Sequence, residues 1–284
     1  MMNPTEWFTE QVSAAGTAFS LKIKKKLHEE QSEFQFLEMY ETETFGNLMV
    51  IDGCTMVSTR DNFFYHEMMS HPALYTHPNP KTVWIIGGGD CGTLREVLKH
   101  PSVEHAVQID IDERVTRLAE VYFPELCESN GDPRADLKFI DGIKWVKDAA
   151  PNSVDIIIVD STDPVGPAEG LFSAAFYRDC AACLTENGMV IQQSESALLH
   201  LKLIGEMRDA MSSAGFGHLQ TLFFPQCLYP SGWWSATIAS KADPSKFREQ
   251  DSANKPFETV YYNVDIHKAS LAQPEFFKKA MALK

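Results

Sequence analysis

The sequence predicts an α/β protein: a mostly parallel sheet covered by helices on both faces, preceded by a small antiparallel β-domain. Three observations carry this. From residue 81 onward, short continuous apolar runs alternate with helical patterns, as expected of strands buried on both faces. The first of these runs, residues 83–86, enters a glycine-rich turn that opens a helix. Before residue 60 the pattern alternates instead and breaks at turn dipeptides.

Residues 17–57 read as the antiparallel sheet. Phe34, Phe36, Leu37 and Tyr40 precede a turn at Gly46-Asn47, and residues 48–51 run into a second turn at Asp52-Gly53. The basic run Lys22, Lys24, Lys25 and Lys26 fits a solvated strand edge or loop. Residues 61–76 read as a helix capped by Asp61, with Phe64, Met68 and Met69 on its apolar face. Residues 1–76 are therefore expected to form a β-domain with a connecting helix, and residues 77–284 a Rossmann-like domain. In the second unit, strands are expected at 83–86, 106–110, 137–140, 154–159 and 189–192, with helices at 91–99 and 113–122. Two more strands are expected within 218–240, the second containing Trp233, Trp234, Thr237 and Ile238.

Composition narrows the function. The 284 residues are 44% hydrophobic and 23% charged, which excludes a disordered or fibrous chain. Lys and Arg total 25 against 39 Asp and Glu, a formal charge of −14. Such a surface argues against nucleic acid and is compatible with a cationic ligand. No apolar run reaches the length of a membrane span, and the first residues lack a signal-peptide pattern, so a cytoplasmic protein is expected. Of the cysteines, only Cys180 and Cys183 form a CxxC; inside a helical pattern this reads as a buried, reduced pair and not a metal site.

The chemistry gathers at strand ends. The run Gly87-Gly88-Gly89-Asp90-Cys91-Gly92 lies between a strand and a helix, and the next strand ends at Asp110, where an acidic residue commonly takes ribose hydroxyls. Together they indicate an adenosine-containing ligand; a tight turn with a helix cap is the bland alternative. Asp90 would repel a pyrophosphate at that turn, which favours a cationic sulfonium nucleoside over a dinucleotide. Asp141-Gly142 follows the third strand, where the carboxylate could accept from an adenine amino group, cap a helix, or do both. The fourth strand ends in Asp160-Ser161-Thr162-Asp163. Ligands of open parallel sheets bind beyond the carboxyl ends of the strands, so Asp90, Asp110, Asp141 and Asp160 should share one rim.

Taken in order, residues 61–68 (DNFFYHEM), 87–96 (GGGDCGTLRE), 160–167 (DSTDPVGP), 229–232 (YPSG) and 261–267 (YYNVDIH) resemble the spermidine synthase family, the polyamine aminopropyltransferases. The resemblance spans about residues 28–272. It implies a methyltransferase-like Rossmann domain behind the small β-domain. It also implies transfer of a 3-aminopropyl group from decarboxylated S-adenosylmethionine to a diamine, usually putrescine, giving spermidine and 5′-methylthioadenosine. No resident cofactor or metal is implied, and a homodimer or homotetramer is. Carried onto this chain, Asp160 becomes the general base, helped by Tyr65. Gln35, Gly87, Gly89, Asp90, Asp110, Asp141, Gly142 and Pro167 become the cosubstrate set. His66, Asp90, Asp163, Gln193 and Tyr229 line the acceptor-amine region. Residues 161–172 resemble the family's gating loop, with Pro164, Gly166, Pro167 and Gly170 as stiff and flexible points.

General chemistry agrees. A diamine reaches the site as a dication, so one carboxylate must take a proton from the attacking nitrogen while others hold the distal ammonium. Tyr65, Tyr229 and Trp233 or Trp234 suit the walls of a channel for cations, and Trp234 also reads as core. His267 reads as packing.

The chain departs from the family at five places. Met56 stands where Gln is usual, Asn62 where Glu is, Cys91 where Gly is, Asp110 where Glu is, and Val264 where Pro is common. Met56 should remove a polar contact, Asn62 a charge near the junction, and Cys91 should add a side chain where the ligand approaches. Two other readings therefore stay open: a methyltransferase using intact S-adenosylmethionine, which Asp90 disfavours by charge, and a polyamine-binding paralogue without turnover.

Overall fold

The computed structural model describes residues 6–163, 166–244 and 246–282. An antiparallel sheet comes first, in the order β1 (Trp7–Val12), β2 (Thr17–Gln31), β3 (Phe36–Thr42), β4 (Asn47–Ile51) and β5 (Cys54–Ser58). The helix α1 (Asn62–Thr76) leads from it to a second sheet. β1 precedes the region expected to be sheet. β2 lies between β1 and β3, so it is not an edge strand over its first half. Pairing with β1 ends at Trp7 opposite Lys22, and among the described residues β2 is open on one side beyond Ile23. Lys24, Lys25 and Lys26 occupy that open stretch. Lys22, Lys24 and Lys26 pair with Glu43, Glu41 and Glu38 at 3.1, 3.1 and 2.6 Å. Exposed pairs of this kind contribute only about 0–1 kcal/mol each, so their effect is mainly to keep the edge charged.

The second sheet is built from β6 (Thr82–Gly87), β7 (His105–Asp110), β8 (Ala135–Phe139), β9 (Val154–Asp160), β10 (Leu184–Gln193), β11 (His218–Pro225) and β12 (Trp233–Ser240). Its order is β11-β12-β10-β9-β6-β7-β8. The strands from β10 to β8 are parallel, whereas β12 inserts antiparallel between β10 and β11. The helices between strands are α2 (Gly92–Leu98), α3 (Glu113–Tyr122), α4 (Gly142–Lys147), α5 (Ala174–Cys183) and α6 (Leu201–Ser213), with a 3₁₀ turn at Gly166–Phe172. Short helices α7 (Glu249–Ala253), α8 (Val264–Ser270) and α9 (Glu275–Ala280) follow the sheet. The apolar runs at β6 and β9 are buried on both faces, as their composition requires: Val83, Ile85, Ile156, Ile157 and Ile158 are fully buried. Cys180 and Cys183 are buried free thiols in α5.

The connecting helix α1 has no single apolar face; nearly all of its side chains are buried. Tyr65, Met68, Met69, Ala73 and Leu74 pack with residues of β6, β9, β10, α2 and β12. Asp61 does not cap it. Its carboxylate, itself buried, accepts from Ser58 Oγ at 2.6 Å and from the Leu228 N–H at 2.9 Å, because burial of a charge demands donors from the surrounding chain. Two buried polar links fix α1. The Glu67 carboxylate accepts the N–H groups of Val260, Tyr261 and Tyr262, each such charged bond worth about 1.5–3 kcal/mol. The His71 ring lies 3.2 Å from the Glu96 carboxylate of α2 and 2.9 Å from the His100 ring. Among the described residues no helix is long and apolar enough to cross a membrane.

Candidate active site

Chain order reverses between β6 and β9: β7 and β8 run out to one side of β6, and β9 and β10 to the other. Such a switch point leaves a crevice beyond the carboxyl ends of the two central strands. β6 ends there at Gly87 and β9 at Asp160, and the two residues are register partners. Gly87 has φ +86°, and a Cβ on it would lie 2.1 Å from the Asp160 carbonyl oxygen. Only glycine permits this approach, and the next N–H, of Gly88, donates to that same oxygen at 2.8 Å.

Past this turn Asp90 faces α1. Its Oδ1 accepts the Gly92 N–H at 2.8 Å, and its Oδ2 lies 3.1 Å from His66 Nε2. Gly92 makes room for the ring, since a Cβ there would lie 2.1 Å from His66 Cε1. Burial alone would disfavour both charges. Their mutual attraction overrides it, holding the Asp90 carboxyl below its ordinary range and the His66 imidazole above its own. Among the described residues Asp160 has no cationic partner in direct contact. Tyr65 donates its hydroxyl to Oδ1 at 2.7 Å, and Thr93 donates to Oδ2 at 2.5 Å. Burial, with the neighbouring Asp90 charge, pushes the Asp160 carboxyl up, and both hydroxyls oppose the shift.

An aromatic wall continues from this carboxylate. Tyr65 packs edge-on to Tyr229 with centroids 5.7 Å apart, and Tyr229 packs on Trp234 at 4.7 Å. Trp234 is thus both core and wall. The Tyr229 hydroxyl donates to the Met56 carbonyl at 2.7 Å. The wall encloses a hollow lined by Glu10, Thr55, Asp163, Gln193, Glu195 and His200 among others. Glu10 comes from β1 and accepts from the Thr55 N–H and hydroxyl at 2.8 and 2.7 Å. Glu195 is buried at φ +63°. It lies 3.3 Å from Gln193 Nε2 and 3.1 Å from His200 Nδ1. Asp163 has solvent-accessible edges yet faces these groups. Its desolvated position, and then Glu195, pushes its carboxyl up to about 8. Three carboxyl groups and one histidine therefore crowd one end of the hollow, where their mutual repulsion favours a bound cation.

The opposite part of the rim is carried by β7 and by the turn between β2 and β3. Burial raises the Asp110 carboxyl to about 6, against the stabilising N–H of Asp112. Asp112 caps α3 through Arg114 N–H at 3.0 Å and accepts from Ser32 Oγ at 2.6 Å and Gln35 Nε2 at 3.0 Å. Gln35 is thus tied to Asp112, two residues past Asp110, across 77 positions of sequence. Asp141 caps α4, accepting from the Ile143 and Lys144 N–H groups. Gly142 follows it, with room for no side chain because Ile86 would lie 2.6 Å away. A cavity of about 440 Å³ behind Asp141, between Trp84, Trp145 and Ser153, reaches none of the carboxylates around Asp160.

Most of the expected site residues thus converge: Tyr65, His66, Gly87, Asp90, Asp160, Asp163, Gln193 and Tyr229 around one crevice, with Gln35, Gly89 and Asp110 at its flank. The side chain of Pro167 lies outside the described residues, as does Pro164; the backbone of Pro167 belongs to the 3₁₀ turn. The structure shows what surrounds three of the sequence's departures. Cys91 has φ +69° and a fully buried side chain turned inward, where its Sγ accepts from Gln108 Nε2 at 3.4 Å. Its side chain therefore lies in the core, on a backbone of positive φ that favours glycine. Asn62 is buried, and its amide donates to the Ser58 and Thr59 carbonyls. Met56 presents its backbone carbonyl to Tyr229, so the side-chain change leaves that contact intact.

Four residues of the site escaped the sequence reading: Glu10, Thr93, Asp112 and Glu195. Glu195 carried a usable signal, for it stands just past the end of β10 as Asp160 stands at the end of β9. Glu10 carried none, because nothing local distinguishes it on β1.

Comparison with known proteins agrees with this geometry. The model of the spermine/spermidine synthase domain matches residues 62–250, and that of the spermidine synthase tetramerisation domain matches residues 6–58. A polyamine aminopropyltransferase of Methylococcus capsulatus is 67% identical over 281 residues, covering 99% of each chain. One of Thioalkalivibrio sulfidiphilus is 65% identical over 277 residues, covering 97% of each. Among solved structures, a spermidine synthase in complex with the transition-state analogue AdoDATO superposes with a TM-score of 0.94 at 36% identity, over 98% of this chain and 95% of that one. The spermidine synthase from Thermotoga maritima superposes with a TM-score of 0.93 at 36% identity, over 98% and 94%.

Proposed function

Because the chain belongs to the spermine/spermidine synthase family of transferases, we propose that it moves a 3-aminopropyl group from decarboxylated S-adenosylmethionine to a short diamine, putrescine. The products are spermidine and 5′-methylthioadenosine. The observation that carries this reading is the relation between Asp160 and the acidic hollow. One hydroxyl-clamped carboxylate is held by Tyr65, which with Tyr229 and Trp234 walls a hollow that also takes in Asp163, Glu195 and Glu10. That arrangement suits a dication with one end reacting and the other held.

In this mechanism the diamine enters with both nitrogens protonated, as amines with pKa values near 10 do. The distal ammonium rests among Asp163, Glu195 and Glu10, while the aromatic faces of Tyr229 and Trp234 stabilise the cation in passage. Asp160 takes one proton from the near ammonium and frees its lone pair. The nitrogen then forms a bond to the methylene carbon attached to the sulfonium. The carbon–sulfur bond breaks, its electron pair stays on sulfur, and neutral methylthioadenosine leaves. The sulfonium's positive charge passes to the new secondary ammonium, while the proton taken from the diamine stays on Asp160. Asp90 holds the primary ammonium at the far end of the aminopropyl chain. Intact S-adenosylmethionine would set a carboxylate near Asp90, which argues against the methyltransferase reading.

Gln35 and Asp110 hold the nucleoside's ribose in this reading, with Asp141 and Gly142 at the adenine. The chain works as a homo-oligomer, a dimer or tetramer, which the match of residues 6–58 to the tetramerisation domain supports. A mass-spectrometric assay tests the whole. Protein is mixed with decarboxylated S-adenosylmethionine and separately with putrescine, cadaverine, agmatine, norspermidine or spermidine. Methylthioadenosine and spermidine should appear with putrescine. Folded protein that yields no product with any of these amines would move the reading to a non-catalytic binder.

A further inference from the structure

Asp160 is faced from several elements. Tyr65 and His66 come from α1, Thr93 from α2, Asp90 from the turn after β6, Asp110 from β7 and Tyr229 from the segment before β12. Of the described residues named here, His66 is the one that can bear positive charge, and its short contact is to Asp90. Direct donors to the Asp160 carboxylate are therefore the two hydroxyls, one on each oxygen. Tyr65 already has a role at the site. Thr93 has none assigned, although it makes the shorter bond and its side chain is fully buried between α1 and α2.

We infer that Thr93 is a positioning residue for the reaction: its hydroxyl holds Oδ2 of Asp160, keeps the carboxylate ionised against the charge of Asp90, and leaves one lone pair on each oxygen for the incoming amine. This rests on Asp160 being the general base. A hydrogen bond to the charged form of an acid favours that form. Without Thr93 the carboxylate would meet the Asp90 charge with one donor fewer and would hold its proton to higher pH. A protonated Asp160 cannot accept a proton from the diamine. The Thr93 backbone is set by the start of α2, directly after the Asp90–Gly92 turn. One short segment thus orients both the carboxylate that holds the donor's ammonium and the one that activates the acceptor.

The test is the pH dependence of kcat/KM for putrescine at saturating decarboxylated S-adenosylmethionine. Thr93→Val keeps the shape and removes the hydroxyl. It should move the acid limb of the profile upward by about one pH unit, so that activity on the acid side of the limb falls roughly tenfold and recovers at higher pH. Thr93→Ser should return the limb to within about 0.3 units of wild type. If the valine variant does not fold, Thr93→Ala must show the same displaced limb. An unmoved limb in a folded Val or Ala variant overturns the inference. So does a pH-independent loss shared by the serine variant, which would mark Thr93 as packing alone. Asp160→Asn separates the two levels: if it keeps wild-type activity and limb, the base is another group, and the inference falls together with the reading beneath it.

Discussion

The Tyr65 hydroxyl donates to Oδ1 of Asp160 across 2.7 Å, joining the start of α1 to the end of β9 over 95 positions of sequence. Burial and the Asp160 charge drive the Tyr65 pKa well above its ordinary value, so the phenol remains a donor throughout the working pH range. Its job in the proposed reaction is to hold the carboxylate, and proton transfer falls to Asp160.

Removing that base has a clear expected outcome. Asp160→Asn should lower kcat by about 10²–10⁴-fold, the usual worth of a general base, and leave nucleoside affinity nearly unchanged. Tyr65→Phe should cost less, about tenfold, because one donor to the carboxylate remains. Methylthioadenosine release measures the first quantity and calorimetric titration the second. An Asn variant with normal turnover would require a different base.

The anionic hollow should govern the acceptor. Glu195→Gln removes a charge that faces Asp163, and the Asp163 carboxyl should then titrate below its present value of about 8. The diamine's KM should rise by roughly tenfold, about the worth of one partly desolvated charge contact, with little change in kcat. Equal KM for putrescine in variant and wild type would place the distal ammonium elsewhere.

The His66–Asp90 pair makes a pH prediction of definite sign. The folded-state His66 pKa lies above 6.5, so its contribution to stability is complete below 6.5 and is lost as pH rises through the folded value. The Asp90 pKa lies below 3.8, so its contribution is present above 3.8 and is lost as pH falls through the folded value. The pair is therefore at full strength in the window between 3.8 and 6.5. NMR titration of the His66 imidazole should show a midpoint above the free value, and Asp90→Asn should move it downward. A midpoint that ignores the substitution would mean that another group charges the ring.

Gly92 sets the steric fit between α1 and α2. Gly92→Ala would drive a methyl group into the His66 ring, whose nearest atom would lie only 2.1 Å from the added carbon. Overpacking of this kind costs about 1–3 kcal/mol, and a fall in Tm of roughly 5 °C with loss of decarboxylated-cosubstrate affinity is expected. Calorimetric melting and binding on the same sample check both, and an unchanged Tm would show that the ring moves freely.

Much of the fold was legible because backbone physics is local. Runs such as 83–86 and 154–159 are continuous and apolar, which suits strands buried on both faces, and both are found there. The helix at 61–76 was legible as a helix but its environment was not. An apolar face was expected, whereas the chain buries it nearly all round, because β12 and the residues near 260 return to cover the other side. β1 was the strand the sequence did not show, because its alternation is weak. β12 was expected as a strand, and pairing with β10 as well as with β11 decides its place in the sheet.

That Asp90, Asp110, Asp141 and Asp160 follow successive strands is written in the order of the residues. Parallel strands share one polarity, so residues at their carboxyl ends must meet one rim. The family is written there too, through motifs that keep their order along the chain. Which side chains touch is a matter of packing. That Thr93 and Tyr65 grip opposite oxygens of Asp160 depends on how α1 and α2 are rotated against the sheet. That Glu10 from β1 joins Asp163 and Glu195 depends on where the antiparallel sheet docks. The reason is geometric: strand polarity is inherited from each segment alone, whereas a hydrogen bond across about 2.5–3 Å is set by the packing of every element between its partners.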